Sequence, residues 1–181
     1  MTVLSMLNPH AEVVEDNEYW RYAINTSLNT NDVLNINQLR TRGMSGKWLV
    51  FVPAAQLEAA WEHVKAATEE SLLGPSSKAS RRVIPGRDPV MCVYTRDWSD
   101  PGDLTRVLAE LRRLGFGSHL SYKEDIATHV RLYKGTTKYP ASLYVAAAGA
   151  TTFTQRRPDA ATIHGVKPAD IIAQVETEDD D

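Results

Sequence analysis

One cysteine, three phenylalanines and five histidines are spread over 181 residues, and no stretch of about 18 apolar residues occurs. A single Cys92 excludes an intrachain disulfide, and its setting in Val90-Met91-Cys92-Val93 predicts a buried thiol in a reducing compartment. Met1 to Val14 carry no basic segment followed by an apolar one, so neither export nor membrane insertion is expected, and a cytoplasmic location is. The Asn25-Thr26-Ser27 sequon then needs no glycan. The histidines and the cysteine show no His-x-x-x-His or paired-cysteine spacing, so no metal site is expected. Gly-x-Gly-x-x-Gly, the phosphate-loop motif and Gly-x-Ser-x-Gly are all missing, which argues against a dinucleotide enzyme or an ordinary serine hydrolase, and no cofactor is expected.

The formal charge of −3 is unevenly distributed. Glu176, Glu178, Asp179, Asp180 and Asp181 put five negative charges in the last six residues; without them the acidic count falls from 23 to 18, against 20 basic residues. A body that weakly positive does not fit general nucleic-acid binding, which usually needs a strongly basic face. The acidic end reads as a solvated tail.

Length and an apolar content of 43% suit one domain with one well-filled core. Residues 1–17 read as a loosely ordered N-terminal segment, 18–149 as a single α+β domain, and 150–181 as a C-terminal extension ending in the acidic tail. Gly46 to Val52 is a β-branched and aromatic run predicting a strand, with Pro53 suited to the first turn of a helix. Leu57, Trp61, Val64, Thr68 and Leu72 recur at helical period until Gly74-Pro75. Pro89 to Thr95 is a second strand, and Ser99 or Asp100 caps a helix whose stripe is Leu104, Val107, Leu108, Leu111 and Leu114. Short strand-like pieces follow at Ser118 to Lys123, Val130 to Tyr133 and Ser142 to Val145, and Lys167 to Val175 suits a short helix started at Pro168. The pattern predicts a curved, mostly antiparallel sheet backed on one face by two long helices.

The candidate chemistry lies in the middle of the chain. Lys78-Ala79-Ser80-Arg81-Arg82 gathers three cations and a hydroxyl, the side chains a phosphate site uses, and strand alternation would turn Lys78, Ser80 and Arg82 to one side. The alternative reading is a solvated basic loop. Arg96, at a strand end, and Trp98 beside it suit a ligand site in the loop, or else a surface pair with a tryptophan capping the core. If Trp48 is core, Lys47 faces the open side. Tyr122, Lys123, His129, Arg131, Tyr133, Lys134 and Lys138 form a polar and aromatic set that suits a binding rim, or alternatively a lysine-bearing edge that discourages aggregation. His119 and His129 are candidates because histidine is the side chain type whose charge changes near neutral pH, although a lone histidine is more often structural.

Gly46-Lys47-Trp48-Leu49-Val50-Phe51-Val52, the helix carrying Trp61, Gly74-Pro75-Ser76-Ser77-Lys78-Ala79-Ser80, Val93-Tyr94-Thr95-Arg96-Asp97-Trp98 and Ser121-Tyr122-Lys123-Glu124-Asp125 occur in this order between about residues 46 and 145. Together they resemble the basophilic-leukemia-expressed protein family. The resemblance implies a fold similar to that of the cap-binding translation initiation factor, which holds a methylated guanine between two tryptophans and its phosphates with basic side chains. Neither Trp48 nor Trp98 matches that stacking pair residue by residue, and similarity of fold does not carry the role across. Related bacterial sequences are also described as resembling phosphothreonine lyases, although no lyase motif can be placed on this chain.

Three functions follow as expectations. The first is a module binding a phosphate-bearing, nucleotide-like small ligand on the concave sheet face through Lys47, Lys78, Ser80, Arg82, Arg96, Trp98, Tyr122, Lys123 and Arg131. The second is an enzyme eliminating phosphate from a phosphorylated hydroxyamino acid, with Lys78 or Lys123 as base and His119 or His129 as acid. The third is a protein-interaction subunit whose helix faces bind a partner.

Overall fold

A computed structural model of the chain describes residues 16–132 and 138–170. Seven strands form one antiparallel sheet: β1 (Trp20–Ile24), β2 (Gly46–Phe51), β3 (Ser76–Ser80), β4 (Val90–Thr95), β5 (Leu120–Glu124), β6 (Tyr144–Ala146) and β7 (Thr154–Gln155), in the spatial order β1-β3-β4-β2-β5-β6-β7. The chain is thus α+β with an open antiparallel sheet and several helices: α1 (Thr30–Thr41), α2 (Leu57–Glu69), α3 (Pro101–Arg113), and the short α4 (Asp125–His129) and α5 (Ala160–His164). No helix among the described residues is long and apolar enough to cross a membrane.

Strand β2 lies between β4 and β5, with Trp48 opposite Val93 on one side and Tyr122 on the other. Side chains alternate across a sheet, so Trp48, Val50, Met91, Val93, Leu120 and Tyr122 share the face that meets the helices. There they join Leu57, Trp61 and Val64 of α2 and Leu104, Val107, Leu108 and Leu111 of α3 in one cluster. The caps follow the sequence: Asp100 accepts from the Gly102 and Asp103 amides with Pro101 just inside α3, and Asn29 with Asp32 forms a reciprocal capping box on α1. Gly46 has a packing reason, because a Cβ there would run into the Tyr122 ring and hydroxyl, which hydrogen-bonds Thr95 at 2.6 Å.

Two expected elements differ, and a third is described only at its start. The stripe of α2 stops at Thr68, because the helix ends at Glu69 and Ser71 turns to a left-handed φ of 66°, leaving Leu72 exposed. Val130 to Leu132 is not a strand: Val130 caps α4, Arg131 takes a left-handed φ of 54°, and Leu132 is buried beside Ile126 and Ala160, while Tyr133 lies outside the described residues. The helix expected from Pro168 begins at 168–170, and its remainder lies outside them. Cys92 is buried as expected.

Residues 150–170 meet the sheet through β7 and one fully buried ion pair. Arg157 contacts both oxygens of Glu124, at 2.8 and 2.5 Å, and donates to the carbonyls of Pro140, Ala141 and Pro158; Glu124 also accepts from the Ala160 amide. With both side chains at 0% exposure, the pair tolerates burial because each polar atom is partnered. Removing one member leaves a charge uncompensated. Glu124→Gln should therefore cost about 3–5 kcal/mol by urea denaturation, whereas Arg113→Ala, on an exposed pair with Glu110, should change the midpoint little.

Candidate functional site

The alternation that buries Trp48 turns Lys47, Leu49 and Phe51 to the face without α2 and α3. Pairing carries that face across the sheet. Tyr22, Lys78, Cys92, Leu49 and Ser121 form one cross-strand row, and Tyr94, Lys47 and Lys123 a second. Three lysines and three aromatic residues, counting Trp20, thereby meet on one surface.

Each lysine has a different setting. Lys47 forms an ion pair with Asp125, whose other oxygen accepts from Ser45 at 2.7 Å, and its ammonium lies 5.4 Å from the Tyr94 ring centre. Burial alone would raise the Asp125 carboxyl, but Lys47, Ser45 and Arg40 of α1 hold it below its ordinary value. Lys78 rests 4.2 Å from the Trp20 ring centre and 5.9 Å from that of Tyr94, with no carboxylate within 4.0 Å among the described residues. Burial lowers its pKa most; Cys92 opposes that shift, neighbouring Lys47 adds to it, and Asp125 opposes it least. Lys123 is brought down to about 8, first by burial, then by Lys47 and Arg157. Burial likewise pushes the Cys92 thiol up, and the Tyr94 hydroxyl well up.

The other expected site residues are distributed differently. Ser80 shares the lysine face, but its hydroxyl is engaged by both the carbonyl and the amide of Val90, at 3.2 and 3.3 Å. Arg82 lies beyond the end of β3, exposed, bonded to Glu18 at 2.7 Å and stacked on Tyr19. Arg96 is 3.5 Å from Asp32 and lines a polar cleft of about 420 Å³ with Asn25, Ser27 and Arg106. That cleft's arginines are already matched by aspartates, since Arg106 binds Asp103 at 2.8 Å, so it suits an anion less well than the lysine face. Trp98 packs against the core and donates its indole N–H to the Gly43 carbonyl at 3.0 Å. Tyr122 is fully buried on the helix-bearing face, edge-on to Trp48 with ring centres 5.2 Å apart, so it is not offered to a ligand on the lysine face.

His119 is exposed just before β5, its Nε2 3.4 Å from the Ser121 hydroxyl; His129 is exposed at the end of α4, followed by exposed Arg131. Lys138 lies over Tyr139, and Tyr133 and Lys134 fall outside the described residues. Sequence reasoning missed Trp20, Tyr22, Tyr94, Asp125 and Arg40. Of these, Tyr94 was within reach, since alternation from a buried Val93 turns its neighbour outward.

The lowered lysine gives a pH dependence with a definite sign. Between about 8 and the ordinary 10.5 the unfolded chain holds a proton at Lys123 that the folded chain has released, so stability rises with pH through this window. Below about pH 8 both states are protonated and the unfavourable charge is fully present. Lys123→Met should flatten the rise between pH 8 and 10 when denaturation midpoints are compared with the wild type; an unchanged slope would place the released proton elsewhere.

The family model described as Basophilic leukemia-expressed protein Bles03 matches residues 7–131. The matched span includes β1 to β5 with Lys47, Lys78 and Lys123, more than half of the chain. The chain therefore belongs to the basophilic leukemia-expressed protein family.

Proposed function

We propose that the protein is a cytoplasmic module that holds a phosphate-bearing, nucleotide-like small molecule on the lysine face of its sheet. One observation supports this above the others: Lys78 keeps its ammonium against aromatic rings with no carboxylate within 4.0 Å among the described residues, beside Lys47 and Lys123 on the same surface. A desolvated ammonium gains most from an anionic partner, because charge-assisted hydrogen bonds strengthen where water is scarce. A ring of the ligand then stacks beside the Trp20 and Tyr94 rings that the lysines lie over, and stacking contributes about 1–3 kcal/mol per base. In this reading the sheet serves as a curved platform similar to that of the cap-binding translation initiation factor, with α2 and α3 as its two supporting helices.

Nucleotides and phosphorylated small molecules should raise the melting temperature, and more at low salt than at high salt. Lys78→Met should weaken the response about tenfold or more, the effect of one lost charge-assisted contact. Lys65→Ala on α2 and Arg82→Ala should leave it intact. A broad screen at millimolar ligand without any shift would remove the proposal.

A second reading, phosphate elimination from a phosphothreonine peptide, draws support from Lys123, whose pKa of about 8 suits a base taking an α-proton. His119 or His129 would then protonate the leaving oxygen. Incubation with such a peptide should yield the dehydrated residue by mass spectrometry, with the yield lost in Lys123→Met; an unchanged peptide beside well-folded protein rejects elimination.

A further inference from the structure

A lysine that is largely desolvated and lacks a carboxylate partner is poorly stabilised as an ammonium, and the neutral amine is the form with a lone pair to share. Lys78 is half-buried, and no carboxylate among the described residues lies within 4.0 Å of it. Its ammonium is packed over Trp20 and near Tyr94, and its cross-strand neighbour is the buried Cys92. The next strands bring Lys47 and, opposite it, Lys123. The same aromatic packing limits the side chain's rotamers, so the nitrogen is held in place before a partner arrives. Desolvation and neighbouring cations are the two ways proteins make a lysine nucleophilic near neutral pH, and both act here, in the direction of the lowered pKa.

We infer that Lys78 forms an imine with the aldehyde of a phosphate-bearing small molecule whose phosphate is held by Lys47 and Lys123. This deepens the proposed phosphate site and rests on it. In the reaction the amine lone pair attacks the carbonyl carbon, the C=O π pair moves to oxygen, and a proton passes from nitrogen to oxygen to give a carbinolamine. Loss of the hydroxyl with a proton, as water, leaves the C=N bond. Amine and aldehyde become imine and water, with no change of oxidation state.

Pyridoxal 5′-phosphate and pyridoxal serve as probes, an aldehyde with and without a phosphate, followed by borohydride, whose hydride reduces the imine to a stable secondary amine. Peptide mapping should find Lys78 labelled before Lys65 and Lys138, and about tenfold or more faster with the phosphate than without it. Inorganic phosphate should slow the first probe and not the second. Lys78→Met should lose the label, and Lys78→Arg, which keeps charge and stem, should lose it while retaining the native melting curve. Lys47→Met should still label with pyridoxal but lose the preference for the phosphate. Labelling that follows exposure alone, with Lys78 no faster than Lys65, overturns the inference. If nucleotides still raise the melting temperature in that case, the phosphate site stands and only the imine falls. If both probes label Lys78 equally fast, the amine is reactive without a phosphate site, and both the inference and the reading beneath it fail.

Discussion

Strand β2 is hydrogen-bonded along both edges, to β4 and to β5, and this double pairing assigns every neighbouring side chain to one face or the other. Because the side-chain period is two, a slip of a single residue would exchange Trp48 with Lys47, placing a charge in the core and an indole outside. The cost of that exchange is the full burial penalty of an ammonium together with the lost packing of a tryptophan. Register and the composition of the candidate site are therefore one constraint. The apolar side, gripping α2 and α3, fixes which residues can be polar on the other.

The central strands and the two core helices were legible because their patterns are strong: apolar and β-branched runs for β2 and β4, and helical stripes for α2 and α3, the second started by a recognisable Asp100 cap. β1 and α1 were not. Trp20-Arg21-Tyr22-Ala23-Ile24 carries large side chains on the lysine face and only Ala23 fully buried behind it, so alternation of hydrophobicity is faint. In α1 only Val33 and Ile36 are buried among asparagines and charges, although the capping box at Asn29 and Asp32 was a readable signal. Val130 to Leu132 misled for the opposite reason, since two apolar residues flanking an arginine look like alternation but close a short helix instead.

The site was half legible. Lys47 and Lys78 follow directly from alternation, as does Lys123 once Tyr122 is inside, a position that its aromatic character and polar neighbours disguised. Arg82 failed to join Lys78 and Ser80 because the strand ends at Ser80, and the alternation ends with it. Arg96 and Trp98 stand past the end of β4, where the chain turns toward Asp32 and the Gly43 carbonyl. The aromatic partners of Lys78 come from β1 and β4, and no local pattern in the sequence announces which distant strands become neighbours.

Arg157 touches the core from a segment outside the matched family span, yet its charge bears on Lys123 across the strand. Two adjacent residues of β5 thus belong to different compartments: Glu124 receives Arg157 inside, while Lys123 feels the same guanidinium from the other face. Coupling of this kind is reciprocal. Loss of the Lys123 proton therefore also favours the seated Arg157 by the same free energy. Protonation on one face and the anchoring of a distant stretch of chain on the other are linked equilibria, joined through the thickness of a single sheet.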